Sequence, residues 1–515
     1  MYYSLRNLFY KYVLTFFLIV LVIYSFKVTE IDLLSLFGGL STSFDILREM
    51  WPPDFSNIDS YLMLVLETIG VGATGATIGI LFSFPLAFLM AKNTSPNKYV
   101  YSIVKGFVNA LRAIPELVYA LILVSSIGIG SLPGIVAIIL HTVGLATKFY
   151  AEAIESIDEK QVEAIKSTGS SGIQVIRHAI IPQIMPLFTG YTAYIYDHNI
   201  RVAVGLGIVG AGGIGIELYR RIRQFHYDKV ATIIILIVLI VSLISKLSDY
   251  IRNSILEGKF FSQKTKILDS TITALSLLLI LTSVFTISYQ IPGIISAMPR
   301  MIETFSYMLP PHFGDFNEYL RLTIETIGMA ITGTIFASVI AFIVAVFSSK
   351  NIIKIGFIRK VFIEIANFFR GMPDIIFALF FVVALGLGPF PGVLALAFSS
   401  AGLLAKFYTE VIENIDEKQI EAIEATGANT IQKIRHAIIP QILPLFNSYN
   451  LYVLDRNVRT STVLGIVGAG GIGYLLSVSM KMMEYNKTTT IIIIMFITIL
   501  TADIISTKLR KKILE

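Results

Sequence analysis

The chain has 515 residues, of which 55% are hydrophobic and 15% charged, and it contains no cysteine. Soluble domains carry about 25% charged residues, so the composition excludes a water-soluble globule, and the lack of cysteine excludes disulfides and thiolate metal sites. The net charge of +6 comes from basic residues beside apolar runs, which is typical of membrane topology signals, so we expect no nucleic-acid partner.

Twelve apolar stretches are long enough to cross a bilayer as helices, since a crossing needs about 20 such residues. Arg6 and Lys11 precede the first stretch as in a signal peptide, but no small-residue cleavage pattern follows, so we interpret it as a membrane span. In chain order, the predicted spans lie near residues 11–26, 61–91, 101–127, 131–147, 184–209, 229–249, 267–290, 319–347, 360–387, 390–405, 442–468 and 488–507.

The two halves of the chain repeat one another with a constant offset of 258 residues. Glu67–Gly70 recurs at Glu325–Gly328, and the nine residues Ile176–Ile184 recur unchanged at Ile434–Ile442. An even number of spans per copy means that both copies insert the same way up, as parallel repeats with a pore at their interface. The predicted fold class is an all-α polytopic membrane protein with about 12 transmembrane helices in two parallel six-helix repeats.

The predicted domains are the two copies, residues 1–258 and 259–515. Most Lys and Arg residues outside the spans fall on one side of the membrane, which identifies that side as cytoplasmic and places both termini there. Arg220, Arg221 and Arg223 disagree, because an even count of spans puts them outside. We therefore expect a multi-pass protein of the cell membrane, surrounded by lipid.

Each half contains a polar loop, at about 148–183 and 406–441. Apolar and charged residues alternate in the first loop at roughly helical spacing, which predicts two short helices broken at Gly169. An ordinary interfacial amphipathic helix would show the same alternation, but it would not explain why both copies end in Ile-Pro.

The spacing of Glu-Ala, Gly and Pro in these loops resembles the EAA loop of ABC importer permeases. The matching residues are Glu163, Ala164, Gly169, Pro182, Glu421, Ala422, Gly427 and Pro440. The resemblance implies a type I ABC importer permease fold in which each loop docks on a cytoplasmic ATPase. It also implies two copies of that ATPase and an extracytoplasmic solute-binding protein as partners.

A finer resemblance, to phosphonate permeases, covers nearly all of each half. It is carried by Leu111–Glu116 with Phe369–Asp374 and by the loop from Ala164 to Pro186. The implied function is ATP-driven import of phosphonates or related phosphorus oxyanions. Phosphite, phosphate, another anion and an amino acid remain alternative solutes, and an ion-coupled secondary transporter is a second class of function.

The chain itself is not expected to be an enzyme or to hold a cofactor. It has no phosphate-binding loop of the G-x-x-x-x-G-K-[ST] type, no H-E-x-x-H pair and no nucleophile elbow. His178 and His436 flank the polar loops without a clustered second ligand, so they predict no metal site. ATP hydrolysis is therefore assigned to a separate subunit.

Span five carries two charged residues and an amide at its middle in each half. These six residues are Asp197, Asn199, Arg201, Asp455, Asn457 and Arg459. A charge inside a bilayer costs roughly 2.5–3.5 kcal/mol and usually faces protein or water. Asp197 and Arg201 are four apart and can form an intrahelical ion pair. Alternatively, Arg201 and Arg459 line the translocation pathway and contact the anion.

Two further sets of residues are candidates for gating or for helix packing. In each half, a basic residue and a proline predict a positive charge and a helix break early in span three, and a glycine-rich segment ends span five. These residues are Arg112, Pro115, Arg370, Pro373, Gly210, Gly212, Gly213, Gly468, Gly470 and Gly471. The glycines do not predict a dinucleotide site, because no strand precedes them.

Overall fold

A computed structural model describes residues 19–31, 33–256, 293 and 295–514. Within this part, the regular secondary structure is helical. The helices are α1 (Ile19–Val28), α2 (Leu33–Glu49), α3 (Ile58–Met90), α4 (Lys98–Ala113), α5 (Glu116–Ile127), α6 (Ser131–Glu155), α7 (Glu159–Lys166), α8 (Gly172–Val175), α9 (Ile181–Ile208), α10 (Ile214–Arg223), α11 (Tyr227–Leu256), α12 (residues 295–307), α13 (Phe316–Ser348), α14 (Gly356–Gly371), α15 (Asp374–Leu385), α16 (Pro389–Glu413), α17 (Glu417–Glu424), α18 (Thr430–Lys433), α19 (Ile439–Leu464), α20 (Gly471–Lys481) and α21 (Tyr485–Leu514).

The helices form two compact units. The first unit is Glu49–Tyr307, and the second unit is Met1–Arg48 together with Met308–Glu515. These units differ from the sequence repeats 1–258 and 259–515, because the leading segment of each half packs with helices of the other half. In the second unit, the ring centroids of Phe26 in α1 and Phe336 in α13 are 5.7 Å apart.

The same exchange occurs in the first unit, which includes α12 from the second half of the sequence. A Cβ atom added at Gly293, just before α12, would lie 3.4 Å from Leu132 Cδ2 in α6. Each unit therefore combines the later helices of one repeat with the described end of the other repeat's leading segment.

In the first unit, α3 and α6 run parallel to each other. At one end, the Ser131 hydroxyl donates to Glu67 Oε1 at 2.5 Å, and at the other end the amide of Lys92 donates to Glu155 Oε1 at 2.8 Å. Between these ends, a Cβ atom added at Gly75 would lie 2.5 Å from Ile138. Because α3 and α6 point the same way, the chain between them must return across the unit.

That return is made by α4 and α5, which meet at an angle of 81°. The break lies at Ile114, whose extended backbone (ψ 121°) precedes Pro115, since proline disfavours the helical conformation in the residue before it. α5 has only 12 residues, or about 18 Å, which is shorter than the hydrocarbon core of about 30 Å. The third predicted span is therefore a broken span rather than one helix. α14 and α15 repeat the arrangement at 90°.

Six described helices are long and apolar enough to cross a membrane, and the number rises to nine when each bent pair counts as one span. α9 is as long as these helices, with 28 residues, and its middle is more polar. The first predicted span of each half, near 11–26 and 267–290, falls largely outside the described residues. The described helices thus agree with a multi-pass membrane protein built from two equivalent sets of spans.

Candidate functional site

Each polar loop folds into two short helices that are joined at a glycine, as predicted. In the first unit, α7 begins after Asp158, whose carboxylate accepts a hydrogen bond from the amide of Lys160 at 3.0 Å. α8 follows, and a π-helical turn at Ile176–Ile180 leads into α9. In the second unit, α17 begins after Asp416 in the same way, with a distance of 3.0 Å to the amide of Lys418.

The glycine between the short helices adopts a left-handed backbone conformation in both loops. The φ angle is +78° at Gly169 and +80° at Gly427, a region that side chains other than glycine rarely occupy. No atom outside the neighbouring backbone lies within 4 Å of the position that a Cβ atom would take at either residue. Glycine is therefore required here because of its backbone conformation, and not because a side chain would clash with neighbouring atoms.

A glutamine fixes the base of each loop to the start of the following helix. Gln183 Oε1 accepts from the amide of Asp158 at 2.9 Å, while its Nε2 donates to the carbonyl of Ala179 at 2.9 Å. In the second unit, Gln441 Oε1 accepts from the amide of Asp416 at 3.0 Å. The loop geometry is thus tied to the first turn of α9 and of α19.

A buried aromatic pair lies beneath each loop. In the first unit, the rings of Tyr150 and Phe188 stack with centroids 4.2 Å apart, and the Tyr150 hydroxyl lies 2.6 Å from Thr192 Oγ1. The equivalent rings of Tyr408 and Phe446 are 3.8 Å apart. Apolar residues of the first loop pack on this core, so the loop is in direct contact with residues of α6 and α9.

The residues that match the EAA motif lie on the outside of the loops. All eight of them are exposed: Glu163, Ala164, Gly169, Pro182, Glu421, Ala422, Gly427 and Pro440. Each loop therefore presents these residues on its exposed surface.

The charged pair predicted in the middle of α9 is present and has a third partner. Arg201 Nη2 donates to Asp197 Oδ2 at 3.0 Å and to Ser245 Oγ of α11 at 3.0 Å, and the Ser245 hydroxyl donates to Asp197 Oδ1 at 2.6 Å. The side chains of Arg201 and Asp197 are 25% and 14% exposed. This pair therefore faces α11.

The equivalent residues of α19 are arranged differently. Asp455 and Arg459 are both half-buried, and the position that matches Ser245 is occupied by Asp503. The two predicted charge pairs thus lie in different surroundings.

Asn199 and Asn457 lie on a different face and are fully buried. Asn199 Nδ2 donates to Thr142 Oγ1 of α6 at 2.7 Å. In the second unit, Asn457 Nδ2 donates to Thr334 Oγ1 of α13 at 2.9 Å, and its Oδ1 accepts from Ser400 Oγ of α16 at 2.7 Å. Both asparagines bind neighbouring helices, which is the usual arrangement of buried amides.

A third face of α9 carries His198, which sequence reasoning did not assign to a site. His198 Nε2 lies 3.3 Å from His141 Nε2, and His141 Nδ1 lies 3.6 Å from Glu116 Oε2. In the second unit, Arg456 Nη2 donates to Asp374 Oδ2 at 2.8 Å, and its Nη1 donates to Ser400 Oγ at 3.3 Å. One sequence signal could have identified this face of the helix. An acidic residue is present at the equivalent positions 116 and 374 of both halves, whereas His198 of the first half is replaced by Arg456 in the second.

The basic residues at the bends pack against glycines of the next long helix. A Cβ atom added at Gly144 would lie 2.9 Å from Arg112 Cγ, and one added at Gly402 would lie 2.5 Å from the backbone nitrogen of Arg370. Pro115 and Pro373 are the residues before α5 and α15. Each basic residue thus lies close to its proline at a helix break within its own unit.

The glycine-rich segments after α9 and α19 form tight turns that neighbouring helices hold in place. Six glycines have positive φ: Gly210, Gly212, Gly213, Gly468, Gly470 and Gly471. Thr68 Oγ1 accepts from the amide of Ile214 at 2.9 Å, and Glu325 Oε1 accepts from the amide of Gly471 at 2.7 Å. Thr68 of α3 and Glu325 of α13 therefore bind these turns.

In the described part of the chain, no group of three or more His, Asp or Glu side chains is arranged to hold a metal ion. In each unit, the candidate functional residues lie on the exposed loop and on the polar faces of α9 or α19.

Comparison with known proteins relates this architecture to transport. The family described as binding-protein-dependent transport system inner membrane component matches residues 83–257 and 333–515. Phosphate-import permease protein PhnE of Mycolicibacterium smegmatis is 31% identical over 494 residues, which cover 93% of this chain and 90% of that protein.

A shorter relative matches less than half of the chain. Phosphite transport system permease protein PtxC of Stutzerimonas stutzeri is 39% identical over 222 residues, covering 43% of this chain and 81% of that protein. Among solved structures, a chain of an inward-facing MetNI methionine ABC transporter is 21% identical, with a TM-score of 0.35. The match covers 38% of this chain and 95% of that chain. With the family matched in both halves, the chain belongs to the binding-protein-dependent transport system inner membrane components.

Proposed function

We propose that the chain is the membrane-spanning permease of an ATP-driven importer for phosphonates or related phosphorus oxyanions. The observation that carries this proposal is the pair of exposed loops, each with a complete Glu-Ala, Gly and Pro set. The substrate class is supported by the resemblance to phosphonate permeases over both halves. It is also supported by relatives whose names specify phosphate import and phosphite transport.

As a member of its family, the chain works with a substrate-binding protein and an ATPase. In our proposal, two copies of the ATPase bind, one on the loop with Glu163 and Ala164 and the other on the loop with Glu421 and Ala422. Both loops and both termini lie in the cytoplasm, and the binding protein delivers the anion from the opposite side. Since each loop packs on a buried core, ATP-driven movement at the loop reaches the long helices.

We place the translocation contacts on the polar faces of α9 and α19. The buried amides of Asn199 and Asn457 hold these helices against their neighbours. Arg201 and Arg459 supply guanidinium groups, which suit the several oxygens of a phosphonate. The bends and the glycine turns are the candidate gates, and their close contacts with neighbouring helices equally favour a packing role.

Reconstitution of the complete complex tests the proposal. The chain would be co-expressed with its ATPase, purified through a tag on the chain, and placed in liposomes with the binding protein outside. We expect uptake of methylphosphonate, phosphite or inorganic phosphate that needs both ATP and the binding protein. Uptake driven by an ion gradient without ATP would instead support a secondary transporter. Uptake of an amino acid in place of all three anions would contradict the substrate class.

A further inference from the structure

A rare backbone conformation recurs at one position of both units. α10 ends at Arg223 and α20 at Lys481. Two residues further along the chain, Phe225 has a φ of +58° and Met483 a φ of +60°, and these residues are equivalent because they are 258 positions apart. Among the described residues, Glu30 is the only other non-glycine residue with positive φ. Both units thus hold a large apolar side chain where the backbone disfavours one.

The turn after α10 explains the backbone conformation but not the choice of side chain. The amide of Phe225 donates to the carbonyl of Ile222 at 3.2 Å, and the amide of His226 donates to the carbonyl of Arg221 at 3.1 Å. This is the pattern in which a left-handed residue, usually glycine, ends a helix. A glycine would form both bonds without strain. Phe225 is 71% exposed and Met483 is 73% exposed, so packing within the unit does not account for either side chain.

The turn lies on the side of the membrane opposite to the polar loop of its unit. α9 starts directly after the loop, and its 28 residues correspond to about 42 Å, which exceeds the hydrocarbon core of about 30 Å. The turn follows α10, beyond the far end of α9. Asp228 and Lys229 then separate Phe225 from the apolar part of α11, which starts at Val230. We therefore place Phe225 outside the hydrocarbon core, on the face opposite to the loop.

A segment with two exposed aromatic residues is bound next to this turn. The amide of Asp54 donates to the carbonyl of Asp228 at 3.2 Å, and the Thr232 hydroxyl donates to the carbonyl of Asp54 at 2.7 Å. Asp54 lies between Trp51 and Phe55 in the sequence, and both aromatic residues are exposed. Exposed aromatic side chains therefore occur on both of the chain segments that these bonds join.

The exposed charged side chains of α10 are both arginines. Arg220 and Arg223 are exposed, whereas Glu217, the one acidic residue of this helix, is buried. Arg220 Nη1 donates to Glu217 Oε2 at 2.7 Å, but the Arg220 side chain is still 58% exposed. Arg223 Nε donates to the Tyr219 hydroxyl at 3.1 Å. Since a guanidinium has five N–H donors, both arginines can also bind a carboxylate outside the unit.

Neither membrane topology nor the fold accounts for these arginines. Basic residues concentrate on the cytoplasmic side of membrane proteins, whereas α10 lies on the outer side in the proposed orientation. In the second unit, Val478 matches Arg220, and Lys481 is the only charged residue of α20. The turn after α20 keeps the apolar feature, because Met482 and Met483 are both exposed. The exposed pair of arginines is therefore specific to the first unit.

We propose that the turn after α10 is a docking site for an acidic face of the solute-binding protein. Phe225, Trp51 and Phe55 supply apolar contacts, and Arg220 and Arg223 bind carboxylates of the partner. The inference rests on the proposed function, because it requires the turn to lie outside the cell. Aromatic residues and arginines contribute most of the energy in many protein interfaces, and opposite charges speed association. Because α20 has no arginine, the acidic face of the partner is directed to the first unit.

The test measures docking of the binding protein that supports uptake in the reconstituted complex. The complex would be held in lipid nanodiscs, and the rates of association and dissociation would be measured at low and at high salt. F225G should weaken docking about tenfold or more, without lowering the melting temperature of the complex, because glycine relieves the strained turn. F225L should retain most of the affinity, because it keeps a large apolar side chain. Weaker docking without a lower melting temperature does not arise from loss of folding.

Charge reversal tests the contribution of the arginines. R223E should slow association about tenfold at low salt, and the difference from the unsubstituted chain should shrink at high salt, because salt screens exposed charges. K98E is the matched control. Lys98 is also exposed, and it starts α4 shortly after Lys92, whose amide binds Glu155 on the side of the polar loop. K98E should leave docking unchanged. An unchanged affinity of F225G, or an unchanged association rate of R223E, would overturn the proposal.

The same measurements separate this inference from a membrane anchor and from failure of the proposed function. If Phe225 is a membrane anchor, F225G would leave docking unchanged and would lower the melting temperature only in nanodiscs with anionic lipid, which also overturns the proposal. If no binding protein supports ATP-driven uptake, the proposed function fails and the docking site fails with it. Uptake of a different solute would contradict the substrate class, while the comparison of F225G and R223E with the unsubstituted chain would still decide the docking site.

Discussion

Gly169 and Gly172 are exposed glycines three residues apart, and they differ in backbone conformation. Only Gly169 is in the left-handed region, and both have open space around the Cβ position. We expect Gly169→Val to abolish ATP-driven uptake while the protein still inserts in the membrane, because a β-branched residue strongly resists this conformation. Gly172→Val is the matched control and should retain uptake. Similar losses in both variants would show that the loop surface matters rather than the turn at Gly169.

The ion pair of α9 can be tested by exchanging its charges. If Asp197 and Arg201 serve only to neutralise one another beside Ser245, the exchange variant D197R/R201D should recover the thermal stability that each single variant loses. A buried charge left without its partner costs about 3–5 kcal/mol. We expect recovery of stability without recovery of uptake, because the guanidinium is moved by one helical turn. Full recovery of both measurements would exclude an anion contact for Arg201.

Part of the residue-level site could be predicted from the sequence. The spacing of Asp197 and Arg201 was sufficient to predict their pairing, since residues four apart share a helix face. It was not sufficient to predict Ser245, because the rotation of one helix against another is not encoded in the spacing within either. His141 and His198 are 57 residues apart, so only the packing of α6 on α9 reveals their contact. The eight loop residues were predicted by resemblance, and they prove to be exposed.

At the scale of elements, the turn after α9 depends on its glycines for two separate reasons. Gly212 and Gly128 both have positive φ. A Cβ atom added at Gly212 would lie 2.8 Å from Ser131 Cα, whereas a Cβ atom added at Gly128 would have no neighbouring atom within 4 Å. Backbone strain alone costs about 1–3 kcal/mol, and overpacking adds typically 1–3 kcal/mol. We expect Gly212→Ala to lower the melting temperature of the purified protein more than Gly128→Ala does. Equal decreases in the melting temperature would mean that α6 moves away from the added methyl group at no cost in stability.

The helix breaks could be predicted only in part. Pro115 and Pro373 indicated that span three is interrupted, because proline restricts the residue before it. The angles of 81° and 90° follow from packing: α3 and α6 are parallel, so α4 and α5 must return the chain within the space beside them. Hydropathy along the chain does not distinguish a bent pair from a straight helix of the same length.

At the scale of the whole molecule, the exchange of leading segments makes the two halves interdependent. We expect residues 1–258 and 259–515, expressed as separate chains, to accumulate and support uptake only when they are produced together, because each supplies a segment that the other unit packs against. A cut at Gly130, inside the first unit, is the control and should give lower recovery. Normal accumulation of either half alone, measured in membranes, would contradict this dependence.

The sequence did not reveal this exchange, since the leading spans are equally apolar whichever half they contact.

The exchange of leading segments has a consequence for the synthesis of the protein. Phe26 packs on Phe336, which is translated about 300 residues later, and at about 5–20 residues per second this separation corresponds to roughly 15–60 s. During that time the first helix is in the membrane without its final neighbour. Because both halves belong to one polypeptide, that neighbour always arrives in the same place, and a newly made first half does not have to find a partner by diffusion.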